Sequence, residues 1–120
     1  MTSARKAIAC LLAAMIGCLS APALAHEPIL KCVLLDAANV RCRGGYADGE
    51  TGQGERVQVI DYADKTLLAG KLGKDGTLTF ARPKGGYYVL FDVGPGEQAI
   101  VEHDEIRPPK ASDKARWVRR

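Results

Sequence analysis

Serine is almost absent from this 120-residue chain: past the first 25 residues only Ser112 remains, near the carboxyl end. No serine–histidine–acid arrangement at a strand-to-helix elbow can be drawn from it. Histidine is just as scarce, with His26 and His103 the only two. Four cysteines reduce to Cys32 and Cys42 once Cys10 and Cys18 are set aside with the leader described below. Their spacing fits neither a zinc knuckle nor a Cys-x-x-Cys redox centre. No apolar run reaches the roughly 20 residues of a membrane-spanning helix. No basic face with interleaved aromatic residues occurs in the body of the chain, so nucleic acid is not an expected partner. A binding or accessory role is expected ahead of an enzyme.

What the first residues do contain is the pattern of a secretory leader. Arg5 and Lys6 form a positive start, Ala7 to Leu19 an apolar stretch of 13 residues, and Ala23-Leu24-Ala25 a small-x-small cleavage site. Cleavage after Ala25 gives a mature chain beginning His26-Glu27-Pro28, exported to the periplasm or beyond. The alternative is a lipoprotein: Met15-Ile16-Gly17-Cys18 loosely resembles the box at which a lipid is attached, here at Cys18. That route would bury His26 inside a linker.

The mature chain of 95 residues is enough for one small domain. Residues 26–106 hold nine Lys/Arg against 13 Asp/Glu, whereas residues 107–120 hold six against Asp113 alone. The body is therefore acidic and the end basic. Nearly free of apolar residues apart from Trp117 and Val118, residues 107–120 read as a disordered tail. Weak contact with anionic lipid, polysaccharide or an acidic partner is the functional alternative for that tail.

Between them lie short β-rich runs bounded by glycine, aspartate and asparagine. These are 29–35, 40–46, 56–61, 65–72, 77–80, 87–93 and 98–103. Seven short strands in about 80 residues predict an all-β, antiparallel, Ig-like or prealbumin-like sandwich. The Asp36-Ala37-Ala38-Asn39 turn sets Leu34 opposite Val40 and hence Cys32 opposite Cys42, which predicts a cross-strand disulfide. The glycine-rich 44–54 stretch has no lysine-serine/threonine pair after it, so it reads as a mobile connection rather than a phosphate cradle.

Several stretches together carry a family resemblance: Gly45-Tyr46-Ala47-Asp48-Gly49, Glu55-Arg56-Val57-Gln58-Val59, Leu68-Ala69-Gly70-Lys71, Asp75-Gly76-Thr77-Leu78-Thr79-Phe80, Gly86-Tyr87-Tyr88-Val89 and Asp92-Val93-Gly94-Pro95-Gly96. They resemble the carboxypeptidase regulatory-like, or prealbumin-like, sandwich modules of exported proteins. The closest likeness is to small extracytoplasmic proteins associated with bacterial nickel and cobalt uptake transporters. Those proteins tend to begin with histidine and to carry a similar Gly-x-Gly turn. A histidine often follows that turn, where this chain has Glu97, and many end in a membrane helix, where this chain ends in a charged tail. The resemblance implies a role in metal uptake or homeostasis, with a membrane transporter or envelope protein as partner. A metal-independent envelope module binding protein or carbohydrate is the other expectation.

An amino-terminal histidine can close a six-membered chelate through its α-amine and imidazole, and imidazole suits copper, nickel and cobalt. His103 is the expected third nitrogen, and Glu97 an expected oxygen. Pro28 at mature position three excludes the amino-terminal copper motif that needs a histidine there and deprotonated backbone amides. The first expected outcome concerns processing: intact-mass measurement of exported protein gives a lipid-free chain starting at His26, and a diacylglycerol on Cys18 would refute this.

Overall fold

The computed structural model describes residues 26–119, so the leader, its two cysteines and Arg120 lie outside the described residues. Seven strands build the fold: β1 (Pro28–Leu34), β2 (Asn39–Tyr46), β3 (Arg56–Asp61), β4 (Thr66–Lys71), β5 (Thr77–Ala81), β6 (Tyr87–Gly94) and β7 (Glu97–Glu102). They form two antiparallel sheets, ordered β1-β2-β5 and β4-β3-β6-β7. The expected all-β sandwich is present, and each expected strand falls within a residue or two of its position.

Alternation decides which side chains fill the space between the sheets. On β3, Val57 and Val59 are buried; on β6, Tyr87, Val89 and Phe91; on β2, Val40 and Cys42. Pairing aligns these sets, with Val57 opposite Phe91 and Val59 opposite Val89. Aromatic contacts then tie sheet to sheet at both ends. Tyr46 meets Phe91 at a centroid distance of 6.2 Å, and Phe80 meets Tyr87 edge-on at 6.4 Å.

The first hairpin has the expected register: Leu34 pairs with Val40, and Cys32 with Cys42. The two cysteines form a disulfide with their Cα atoms 4.0 Å apart, on the core-facing side of the sheet. Closing so short a loop contributes roughly 2–3 kcal/mol in a chain-entropy account. A disulfide fits an oxidising compartment. Among the described residues no helix is long and apolar enough to cross a membrane.

The strand order gives the sandwich two distinct ends. One gathers His26, the 47–55 connection, the β4–β5 turn and the β6–β7 turn. The other gathers the β1–β2 turn, the β3–β4 turn, the β5–β6 loop and the 3-10 turn His103–Glu105 that follows β7. A capping box closes that 3-10 turn, with the Glu102 N–H donating to Glu105 Oε2 at 2.9 Å.

Two segments differ from their expected character. The glycine-rich 44–54 connection, read as mobile, is laced to the sheet by main-chain hydrogen bonds. Gly44 N–H donates to Gly76 O, Gly52 N–H to Gly44 O, and Gly54 N–H to Leu72 O, all within 2.9 Å. Residues 107–119, read as a disordered tail, run first beside β1, where the Leu34 N–H donates to Arg107 O at 3.0 Å. They then cross the outward face of β2, where the Arg41 guanidinium donates to Trp117 O at 3.1 Å and Arg119 O at 2.8 Å. Val118 is buried there, with 8% exposure. One apolar side chain and one outward arginine anchor a segment whose composition alone signals disorder.

Gly44 faces the core where there is no room for a side chain. A Cβ there would sit 2.6 Å from Leu72 Cδ1 and 3.3 Å from the Phe91 ring. Gly44→Ala should therefore destabilise the domain by about 1–3 kcal/mol through overpacking. Chemical denaturation checks this: the midpoint falls while the slope is kept, and an unchanged midpoint would contradict the packing.

Candidate functional site

At the His26 end, local backbone chemistry fixes the positions of two carboxylates. After β2 the chain turns over Ala47–Gly49, with the Tyr46 N–H donating to Glu50 O and the Gly49 N–H to Tyr46 O. Gly49, at φ 94°, supplies the left-handed conformation that the turn requires. Asp48 closes the turn from its side chain: Oδ1 accepts the Glu50 N–H at 3.0 Å. Asp48 and Glu50 are thereby held on one side of the connection.

His26 lies over this turn. Its ring stacks on Tyr46, with centroids 3.9 Å apart and planes 10° from parallel. Its Nδ1 is 3.2 Å from Asp48 Oδ2. The Glu50 N–H, and after it the His26 imidazole, hold the Asp48 carboxyl below the usual aspartate range, so it stays ionised to lower pH. One ligand atom each from His26, Asp48 and Glu50 lies within 4.8 Å of the other two, and all three residues are exposed.

Further acids surround the Tyr46 phenol. Burial pushes its pKa up, and the charges of Glu55, Glu97 and Glu50 add to the rise. Glu97, expected as a ligand, thus lies at this end of the sandwich, near Tyr46 but outside the three-residue group. Asp48 and Glu50 did not stand out in the sequence, where an Asp-Gly pair after a strand reads as a turn. The one available signal was an acid on each side of Gly49, which a tight turn brings to the same side.

His103 sits at the opposite end. Its Nδ1 is 3.1 Å from Tyr87 O and 3.1 Å from the Tyr62 hydroxyl. A carbonyl only accepts, so Nδ1 carries the proton and Nε2 is left free. The six residue steps of β1 from Pro28 to Leu34 separate the two ends by roughly 20 Å at 3.3 Å per residue. The expected three-nitrogen arrangement of His26 with His103 is therefore not formed.

No family model, curated protein or solved structure matches this chain.

Beside His103, the Tyr62 hydroxyl donates to Glu102 Oε2 in a short hydrogen bond. That bond, then partial burial, then the charges of Glu102, Asp104 and Glu105 push the phenol up to about 12. The folded state favours the protonated phenol, so its stabilisation is complete below the ordinary tyrosine range near pH 10 and is lost as pH rises through about 12. Burial raises Tyr87 as it does Tyr46, so ultraviolet titration should show several late-ionising tyrosines, among them a component near 12 that is lost in Tyr62→Phe. In Glu102→Gln it should move back toward 10; an unmoved late transition would show that the Glu102 bond is not its cause.

Proposed function

We propose that the mature chain is an exported, non-enzymatic accessory module that holds one divalent transition-metal ion. Copper, nickel and cobalt are the metals its donor chemistry suits. The ligands are the α-amine and Nδ1 of His26 with the carboxylates of Asp48 and Glu50. One observation carries this reading. Nδ1, the ring nitrogen that closes a six-membered chelate with the residue's own amine, is the atom lying 3.2 Å from Asp48 Oδ2. With Glu50 inside the same 4.8 Å group, an imidazole nitrogen and two carboxylate oxygens converge, and the amine freed by cleavage after Ala25 would add a second nitrogen. Stacking on Tyr46 restricts the ring before any ion arrives, which lowers the ordering cost of binding. The resemblance to accessory proteins of nickel and cobalt uptake supports delivery to, or sensing for, a membrane transporter.

A second reading rests on a different observation. Strand β4 is an unpaired sheet edge with Leu67 and Leu68 exposed at 43% and 37%. An open apolar edge suits a metal-independent envelope module that accepts an extended segment of another protein.

Calorimetric titration of copper(II) into the chain beginning at His26 separates the two readings. Copper should bind most tightly of the three metals, since affinities at such sites peak there. His26→Ala, Asp48→Asn, Glu50→Gln and a chain extended by one residue before His26 should each weaken binding, by roughly tenfold or more. His103→Ala should leave it unchanged. Affinity falls as pH drops below neutrality, because the amine and imidazole must shed protons to bind. Equal weak binding by every variant would remove the metal reading and favour the interaction module.

A further inference from the structure

We infer that the basin at the far end of the sandwich, between the β5–β6 loop and the His103 turn, binds a small organic carboxylate with an apolar body. The basin encloses about 550 Å³, enough for a ligand of several to a few tens of heavy atoms. Two cations, Arg82 and Lys84, line it from the loop and His103 lines it from the turn, and no aspartate or glutamate is among its lining residues. In a body where acids outnumber bases 13 to nine, this local surplus is opposite to the overall charge.

The cations are available. Among the described residues, the side chains of Arg82 and Lys84 have no hydrogen-bond or ion-pair partner. Several acids at this end accept local hydrogen bonds; Asp36, next to Ala37 in the basin lining, accepts the Ala38 N–H and the Asn39 amide. Glu102 accepts the Tyr62 hydroxyl, Glu105 accepts the Glu102 N–H, and Asp61 accepts the Ala63 and Lys65 N–H groups. A guanidinium left unpaired at the mouth of a concavity matches the planar, two-oxygen face of a carboxylate, with a lysine as a second point charge.

The loop and floor suggest what else the ligand carries. At Gly85 the space around a Cβ position is open, so a ligand can approach the main chain there. Gly86 packs against Tyr62, where a Cβ would come within 2.8 Å of the ring, so the loop lies close over the turn. Beside the charges the lining includes the apolar side chains of Leu34, Pro83 and the buried Ile106. These apolar contacts next to two cations suit a carboxylate with a hydrocarbon portion better than a bare inorganic anion.

Heteronuclear magnetic resonance on the chain beginning at His26 tests this, with hexanoate, hexanamide and inorganic phosphate as probes. Hexanoate should produce saturable shifts at the Gly85 and Gly86 amides and the His103 ring, and leave the Cys32–Cys42 hairpin unmoved. Hexanamide, lacking the charge, should bind at least about tenfold more weakly, and Arg82→Ala with Lys84→Ala should weaken hexanoate by a similar factor. Both side chains are exposed, so the double variant should keep the remaining spectrum. No saturable shift up to about 10 mM hexanoate, equal binding of the amide, or undiminished binding by the double variant would overturn the proposal. Tighter binding of phosphate than of hexanoate would overturn the carboxylate assignment.

Discussion

Three chain segments meet at Gly44, and the candidate site depends on their meeting. The Gly44 N–H donates to Gly76 O in the β4–β5 turn, and its carbonyl accepts the Gly52 N–H from the following connection. Such close approach of three main chains is possible because Gly76 and Gly52 have no side chain, since a Cβ on them would sit 2.8 Å and 3.0 Å from Gly44 O, while Leu72 and Phe91 fill the space that one on Gly44 would need. Each bond is individually modest, but together they turn a glycine-rich stretch into a fixed strap. The Ala47–Gly49 turn is part of that strap. Asp48 and Glu50 are therefore presented by packed backbone, although both are themselves exposed.

The same logic explains what could and could not be read from the residues in order. Strand positions, the alternation of Val57 and Val59, and the Cys32–Cys42 register are local consequences of a period of two and a short turn. They were legible. The anchoring of the 44–54 connection depends on Gly76, Leu72 and Phe91, all distant in sequence, so composition pointed instead to mobility. The packing of residues 107–119 depends on the outward Arg41, more than 70 positions earlier. The expectation that His26 begins the mature chain rests on the cleavage pattern, and the residues that stand beside it were not legible. Pairing it with His103 treated chemical suitability as if it implied proximity, and β1 keeps the two apart.

Acids gather around the His26 end, whereas the cations of the far basin are a local feature. Around Tyr46 stand Glu50, Glu55 and Glu97, with Asp48 beside His26. Arg82 and Lys84 line the far basin, while Glu102, Asp104 and Glu105 act on Tyr62 at the same end. A local surplus of one sign concentrates counter-ions near it before any specific contact forms, and the effect weakens as salt rises.

At the acidic end, attraction alone does not make a selective site. Exposed carboxylates in water hold a cation weakly, because the ion gives up hydration for little Coulombic gain in a high dielectric. What distinguishes this group is that the proton competes unevenly for its members. The Glu50 N–H, and after it the His26 imidazole, keep Asp48 ionised to lower pH, so in the proposed site proton competition would fall on the nitrogens. The imidazole Nδ1 is the partner of Asp48 Oδ2, and in the proposed site it would also be one arm of a chelate closed by the amine of the same residue. Only a chain that begins at His26 has both arms. On the proposed reading, cleavage after Ala25 would do more than remove an export signal, since the bond cut there would supply the second nitrogen on which the proposed chelate depends.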